Sequence, residues 1–305
     1  MEKNSPSQKP LLHFIDQFLE WILVEKGLSK KTQENYYHFL KVFEEFLKQK
    51  NLENISPREV SPDLIYEYKV FLAKKNLKKT TQNYYLIALR QFFLFLEEIG
   101  ESSLSPTKIK LLRQKETRKI HFLTLDQVEK LLSQPDTSTF LGLRDRAILE
   151  VLFSTGMRAG ELLSLKRDQI KIEKIQPMEI VIKGKGGKLR PVYLSERAVF
   201  WLKKYLDQRE DNEKALFISK RKKPLSRRQL DEIVKKYVIK AGLPLETRPH
   251  TLRHSFATDL LMKGVDLRVV QEFLGHQNIS TTQVYTHVTS QKLKEIHQKY
   301  HGKRK

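Results

Sequence analysis

Residues 248–290, RPHTLRHSFATDLLMKGVDLRVVQEFLGHQNISTTQVYTHVTS, decide how the rest of the chain is read. His250 and Arg253 stand three residues apart, and residues at that spacing share one helix face, so an imidazole and a guanidinium can address one target. Pro249 leads into their helix, which ends near Gly264. Val265 to Phe273 forms a short helix closed by Gly275, with His276 directly after it. Ser280 can cap a further helix from Thr281 to about His287, from whose middle Tyr285 projects. A proton carrier, an anion clamp and a phenol gathered in a basic chain suggest chemistry on a phosphate.

The charge supports that suggestion. Lys and Arg number 57 against 36 acidic residues, a net charge of +21. Residues 1–110 hold 17 cations and 14 anions, whereas residues 111–305 hold 40 and 22, so the excess lies in the second part. Cations placed on phosphates release condensed counterions, and a lopsided excess of this size favours nucleic acid over a merely solubilising surface. A length of 305 residues suits two domains, and an apolar fraction of 39% suffices for ordinary cores. The chain contains no cysteine, which excludes disulfides, thiolate chemistry and Cys-type zinc sites. The start, MEKNSPSQKP, lacks the apolar segment of a signal peptide, and no apolar run is long enough to span a bilayer, so a cytoplasmic protein is expected.

Working outward, residues 1–10 form a polar tail and residues 11–103 a four-helix domain. LLHFIDQFLEWILVEKG has helical periodicity and closes on Gly27. A second helix runs from Lys30 to about Lys48 with Phe39, Leu40, Phe43, Phe46 and Leu47 inward, a third opens at Ser61-Pro62-Asp63, and a fourth spans about Thr80 to Ile99. Two of these helices begin with the pattern TxxNYY behind a lysine pair. Lys30, Lys31, Thr32, Asn35 and Tyr36 in the first copy, and Lys78, Lys79, Thr80, Asn83 and Tyr84 in the second, are candidate phosphate contacts, since helix N-termini carry partial positive charge. Plain capping by Thr and packing by Tyr stands as the alternative. Residues 104–118 read as a basic linker.

The second domain, residues 119–290, opens with a Thr124/Gln127 capping box. A largely buried helix from Gly142 to Ser154 contains Arg144, Asp145 and Arg146, whose charges are expected to pair. STGMRAGELLSL then puts Arg158 at a helix start, with Glu161 one turn on to hold the guanidinium fork, although a purely structural pair would look the same. Residues 178–194 read as a β-hairpin with Lys185 in a glycine-flanked turn. A P-loop is excluded there, because GxxxxGK[ST] is absent and no helix follows. Helices follow from Ser195 to about Arg209 and, after the basic SKRKKPLSRR, from Ser226 to about Ala241. His254, next to Arg253, is expected to point elsewhere on its helix and to be structural. Two histidines without Cys or a suitably spaced carboxylate give no metal site.

Together TGMRAGELLSL, KGKGGKLRPV, HTLRHSFAT and LGHQNISTTQVYTHV resemble the tyrosine recombinases, the integrase family of site-specific DNA recombinases, and most nearly its Xer subgroup. The resemblance covers the second domain, and the first looks like the family's SAM-like core-binding domain. It implies a mainly α fold with a small β-hairpin in the catalytic domain, and two domains closing as a C-shaped clamp around DNA. By the same resemblance Arg158 and Arg253 are the catalytic arginines, Lys185 the acid for the leaving 5′-oxygen, His250 the proton acceptor, His276 a phosphate donor and Tyr285 the nucleophile, with Glu161 in support. It further implies a 3′-phosphotyrosyl intermediate and a Holliday junction, formed by four protomers on two double-stranded DNA sites. This residue set needs no metal, and rejoining needs no ATP because the phosphotyrosine preserves the bond energy. A paralogous recombinase, a DNA-translocase activator and docking of the basic tail 291–305 on a neighbour are also implied. The rivals are a type IB topoisomerase, an integrase of a mobile element and a non-catalytic architectural DNA-binding protein.

Overall fold

A computed structural model describes residues 9–113, 121–184 and 187–275. Lys185, His276, Tyr285 and the tail 291–305 lie outside the described residues. The chain divides into two compact units, Met1–Thr117 and Arg118–Lys305.

In the first unit a short 3-10 turn, Leu11–Phe14, leads into α1, Ile15–Val24, and α2 follows at Lys30–Gln49. The cap of α2 is Ser29, whose hydroxyl accepts from the Thr32 amide at 3.2 Å. Thr32 therefore sits inside the first turn and does not cap it. α3, Pro62–Lys74, starts with Pro in its first turn behind the Ser61 cap, as that tripeptide requires. α4, Lys79–Glu98, starts without a side-chain cap and ends ahead of Gly100, whose φ of +80° suits glycine. The four inner faces meet in an aromatic core. Phe18 sits among Phe92 at 5.4 Å, Phe95 at 5.9 Å and Trp21 at 6.0 Å between ring centroids, and Tyr68 packs edge-on against Phe43 at 4.8 Å.

The segment expected as a linker from residue 104 joins this core in its first half. Ile109 is fully buried, and Leu104 and Leu112 pack against the same core. Arg90 donates through Nε and Nη2 to the Ile109 carbonyl at 3.1 and 2.6 Å. Asn83 donates to the Leu112 carbonyl at 3.1 Å and accepts from its amide at 2.8 Å. The apolar residues of a nominally basic stretch thus decide its placement, because burying them outweighs leaving a flexible tether.

The second unit opens with α5, Leu125–Leu132, under the Thr124/Gln127 capping box. α6, Phe140–Thr155, is its central helix, with 11 of its 16 residues buried, so the charges inside it must be paired. Arg144 meets Asp145 at 2.6 Å, and the Tyr237 hydroxyl donates to the other Asp145 oxygen at 2.8 Å. Arg146, expected to join that pair, instead bonds Glu150 one turn on at 2.7 Å, and Arg197 bonds the other Glu150 oxygen at 3.0 Å. After α6 come α7, Ala159–Ser164, then the antiparallel strands β1, Met178–Lys183, and β2, Leu189–Leu194. Their inward residues Ile180, Ile182, Val192 and Leu194 enter the main core. α8, Glu196–Asp207, and α9, Arg227–Lys240, precede α10, Pro249–Met262, and α11, Leu267–Leu274. α10 is fixed at one point to the start of the unit, where the Leu123 amide donates to the Ser255 hydroxyl at 2.8 Å. No helix among the described residues is long and apolar enough to cross a membrane.

Candidate active site

The ends of two helices assemble the site. α6 stops at Gly156 and α11 at Gly275, both with positive φ, +59° and +62°, which glycine adopts without strain. The last carbonyls of a helix have no partner inside it and carry the negative end of its dipole. Arg253, on α10 and 1% exposed, donates from Nη1 to the Gly156 carbonyl at 2.7 Å and from Nη2 to the Leu274 carbonyl at 2.6 Å. A buried guanidinium is thereby held between two helix C-termini, whose partial negative charge helps it tolerate burial.

Arg158 meets the same helix end. It is the residue before α7, its Nη2 donates to the Gly275 carbonyl at 3.3 Å, and its Nη1 bonds Glu161 Oε1 at 3.0 Å. Glu161 Oε2 also caps α7 by accepting from the Arg158 amide at 2.7 Å. The Arg158 side chain is 34% exposed, so part of its fork faces solvent while the rest is anchored.

Glu161 has a second cation that was not among the candidates read from the sequence. Arg190, on β2, makes a two-pronged contact with it, Nη1 to Oε1 and Nη2 to Oε2, each at 2.8 Å. Burial alone would raise the Glu161 pKa, but Arg190, the Arg158 amide and the Arg158 guanidinium override it and hold the carboxyl at about 2. A signal for Arg190 did exist. On a strand side chains alternate, and Arg190 shares the inward side with Val192 and Leu194, where a cation needs a buried partner.

His250, second residue of α10, keeps an exposed edge at the same place. Partial burial, then the charges of Arg253, Arg158 and Arg227, lower its pKa from the ordinary histidine value, which favours the neutral ring. His254 does not point away from it. Four residues on, it lies on the same face, and the two rings meet edge to face at 4.4 Å between centroids. Burial, His250 and Arg253 lower the pKa of His254 to about 4.

The described residues thus bring Arg158, Glu161, His250 and Arg253 together. The hairpin reaches this place through Arg190, and its turn is closed by the Gly184 amide donating to the Lys188 carbonyl at 2.7 Å.

The candidate contacts in the first unit fare unevenly. Lys30, Lys31, Asn35, Lys78, Lys79 and Tyr84 are exposed, with Lys31 paired to Glu34 at 2.8 Å. Thr32 and Thr80 are partly buried, and Thr32 shares a hydrogen bond with the Ser29 hydroxyl at 2.9 Å. Tyr36 is half-buried against Phe18 at 5.7 Å, and burial raises its pKa. Asn83 is buried with both amide atoms on Leu112, so in the second copy of the motif the asparagine fastens the chain instead of facing a ligand.

Comparison with known proteins identifies the family of both units. Residues 121–292 match the model of the phage integrase family, and residues 15–100 match the phage integrase N-terminal SAM-like domain. Tyrosine recombinase XerD of Listeria innocua is 38% identical over 297 residues, covering 94% of this chain and 98% of the relative. That of Vibrio cholerae is 35% identical over 309 residues, covering 98% of each. Among solved structures, XerH recombinase bound to a palindromic difH substrate in a post-cleavage complex superposes with a TM-score of 0.77 at 26% identity, over 96% of this chain and 97% of that one. A lambda integrase dimer bound to a COC′ core site shares the fold, with a TM-score of 0.68 at 20% identity over 88% of this chain and 95% of that one. The chain belongs to the phage integrase family and is a tyrosine recombinase.

Proposed function

We propose that this recombinase acts on double-stranded DNA in the Xer manner, cleaving and rejoining each strand through a 3′-phosphotyrosyl bond and a Holliday junction to resolve chromosome or plasmid dimers. The observation that carries this reading is the convergence of Arg158 and Arg253 on the C-terminal end of α11, beside His250, whose pKa their charges help to lower. Two guanidiniums on one spot suit the two non-bridging oxygens of a scissile phosphate, where charge builds as the nucleophile attacks. Tyr285 supplies that nucleophile. Its phenol, ordinarily with a pKa of about 10, must lose its proton as it attacks, and a neutral imidazole at His250 can accept it. Lys185 protonates the leaving 5′-oxygen, and His276 donates to the phosphate. Glu161 orients Arg158, and no metal or nucleotide enters these steps.

In this reading residues 119–290 carry the chemistry and residues 11–103 hold the flanking duplex. Lys30, Lys31, Asn35, Lys78, Lys79 and Tyr84 are the strongest contacts on the first unit because they are exposed. Strand exchange requires four protomers on two sites, either identical or paired with a paralogous recombinase, and a DNA translocase is the activator the Xer resemblance implies. The place of action is the cytoplasm, on the nucleoid.

The test uses a duplex nicked near the scissile phosphate, so that cleavage releases a short fragment and traps the covalent complex. Wild-type protein should form an adduct stable to denaturant, and Tyr285→Phe should bind the duplex without forming it. An adduct persisting in Tyr285→Phe overturns the assignment. Relaxation of a supercoiled plasmid lacking any recombination site would favour topoisomerase chemistry instead.

A further inference from the structure

Glu161 has two arginine partners, and they are not equivalent. Arg158 touches it with one side-chain nitrogen and remains partly exposed, whereas Arg190 grips both oxygens and is only 12% exposed. An isolated arginine–carboxylate pair has no net charge, and its attraction for a phosphate is correspondingly weak. Two arginines around one carboxylate carry a net single positive charge, and because Arg190 is inside, that charge is presented by Arg158.

Geometry supports the same division. Arg190 pairs in register with Ile182 on the neighbouring strand, so its backbone is fixed by the hairpin. Its side chain fills the space where a Cβ at Gly275 would stand, 2.8 Å from Arg190 Cδ, and Gly275 is the residue whose carbonyl receives Arg158. Arg190 Nη1 lies 3.0 Å from where a Cβ at Gly184 would stand. One side chain thus touches the base of the hairpin turn, the carboxylate that orients Arg158 and the helix end that anchors it. With Arg190 gone, Arg158 alone among the described residues of this group would counter Glu161, and the carboxylate would close on Arg158 and quench its fork.

We infer that Arg190 is a positioning residue for strand cleavage, which neutralises and holds Glu161 so that Arg158 meets the scissile phosphate as an uncompensated cation. The inference rests on the reading of Arg158 as a phosphate clamp. It distinguishes a charge role from a packing role, because methionine fills the volume of arginine's stem without its charge.

The test is a single-turnover cleavage assay on the nicked duplex, with DNA affinity measured on the intact duplex. Arg190→Met should slow adduct formation by about 100-fold while changing DNA affinity less than about threefold, since the loss falls on charge that develops in the transition state. Adding Glu161→Gln removes the unbalanced carboxylate while keeping an oxygen to cap α7. The double variant should therefore cleave at least about tenfold faster than Arg190→Met alone. Arg190→Lys, which restores charge without the fork, should fall between wild type and Arg190→Met. Wild-type cleavage by Arg190→Met, or a double variant no faster than the single one, overturns the inference. If Arg190→Met folds poorly, Arg190→Lys decides, because it keeps a cation beside the buried Glu161: cleavage by Arg190→Lys as slow as by Arg190→Met, at wild-type stability, overturns the inference. Failure here, with Tyr285→Phe still abolishing the adduct, would leave the recombinase reading intact.

Discussion

The two arginines of the site differ in what they do for the fold. Arg253 is buried and saturates carbonyls at the ends of α6 and α11, whereas Arg158 shares a carboxylate that Arg190 already satisfies. Arg253→Ala would leave two buried carbonyls without donors and should lower stability by about 2–4 kcal/mol, besides abolishing cleavage. Arg158→Ala should abolish cleavage while lowering stability by less than about 1 kcal/mol, because its ion pair is partly solvated. Chemical denaturation of both variants, alongside adduct formation, checks the contrast. Equal stability losses would mean that Arg158 also holds the helix end together. His250 and His254 show a related division on one helix face: the first keeps an exposed edge, while the second has its pKa pushed to about 4 by burial and its neighbours and stays neutral beside it.

At the scale of elements, the site depends on how helices stop. Gly156 ends α6 in a left-handed conformation, and a Cβ there would come within 2.4 Å of the Phe256 ring on α10. Gly156→Ala combines backbone strain with a clash against a helix that carries His250 and Arg253, and should destabilise by at least about 2 kcal/mol. Gly160, four residues on within α7, faces open space, and Gly160→Ala should stabilise by about 0.5–1 kcal/mol. Thermal melts of the two alanine variants should therefore shift in opposite directions. Melts shifting together would show that the α6–α7 junction is looser than its packing implies. The hairpin works in the same way: its inward aliphatic residues anchor it in the core, and Arg190 continues that inward row to the carboxylate.

For the whole molecule, the net charge of +21 and the exposed lysines at the starts of α2 and α4 predict salt-sensitive DNA binding. Replacing Lys30, Lys31, Lys78 and Lys79 with alanine should make the dependence of log affinity on log salt shallower, by roughly 0.9 for each phosphate that is no longer neutralised. A titration of binding across salt concentrations measures it, and an unchanged slope would remove these lysines from the interface. Much of the architecture was legible in the sequence because helices and strands are written in local patterns. Ser61-Pro62, the Thr124/Gln127 box, the apolar stripe of α2 and the alternation of the hairpin each act over a few residues, and each element forms where its pattern stands. Local pattern also placed Arg158 beside Glu161 and His250 beside Arg253, since residues three apart lie about one helical turn from each other. What only the tertiary structure decided was the company these residues keep. Arg190 reaches Glu161 across 29 positions, Arg253 reaches Gly156 across 97, and Asn83 turns inward to Leu112 although its twin motif leaves Asn35 exposed. Those choices depend on which carbonyl, carboxylate or apolar surface the folded chain brings within hydrogen-bond reach, and a one-dimensional pattern carries no term for that.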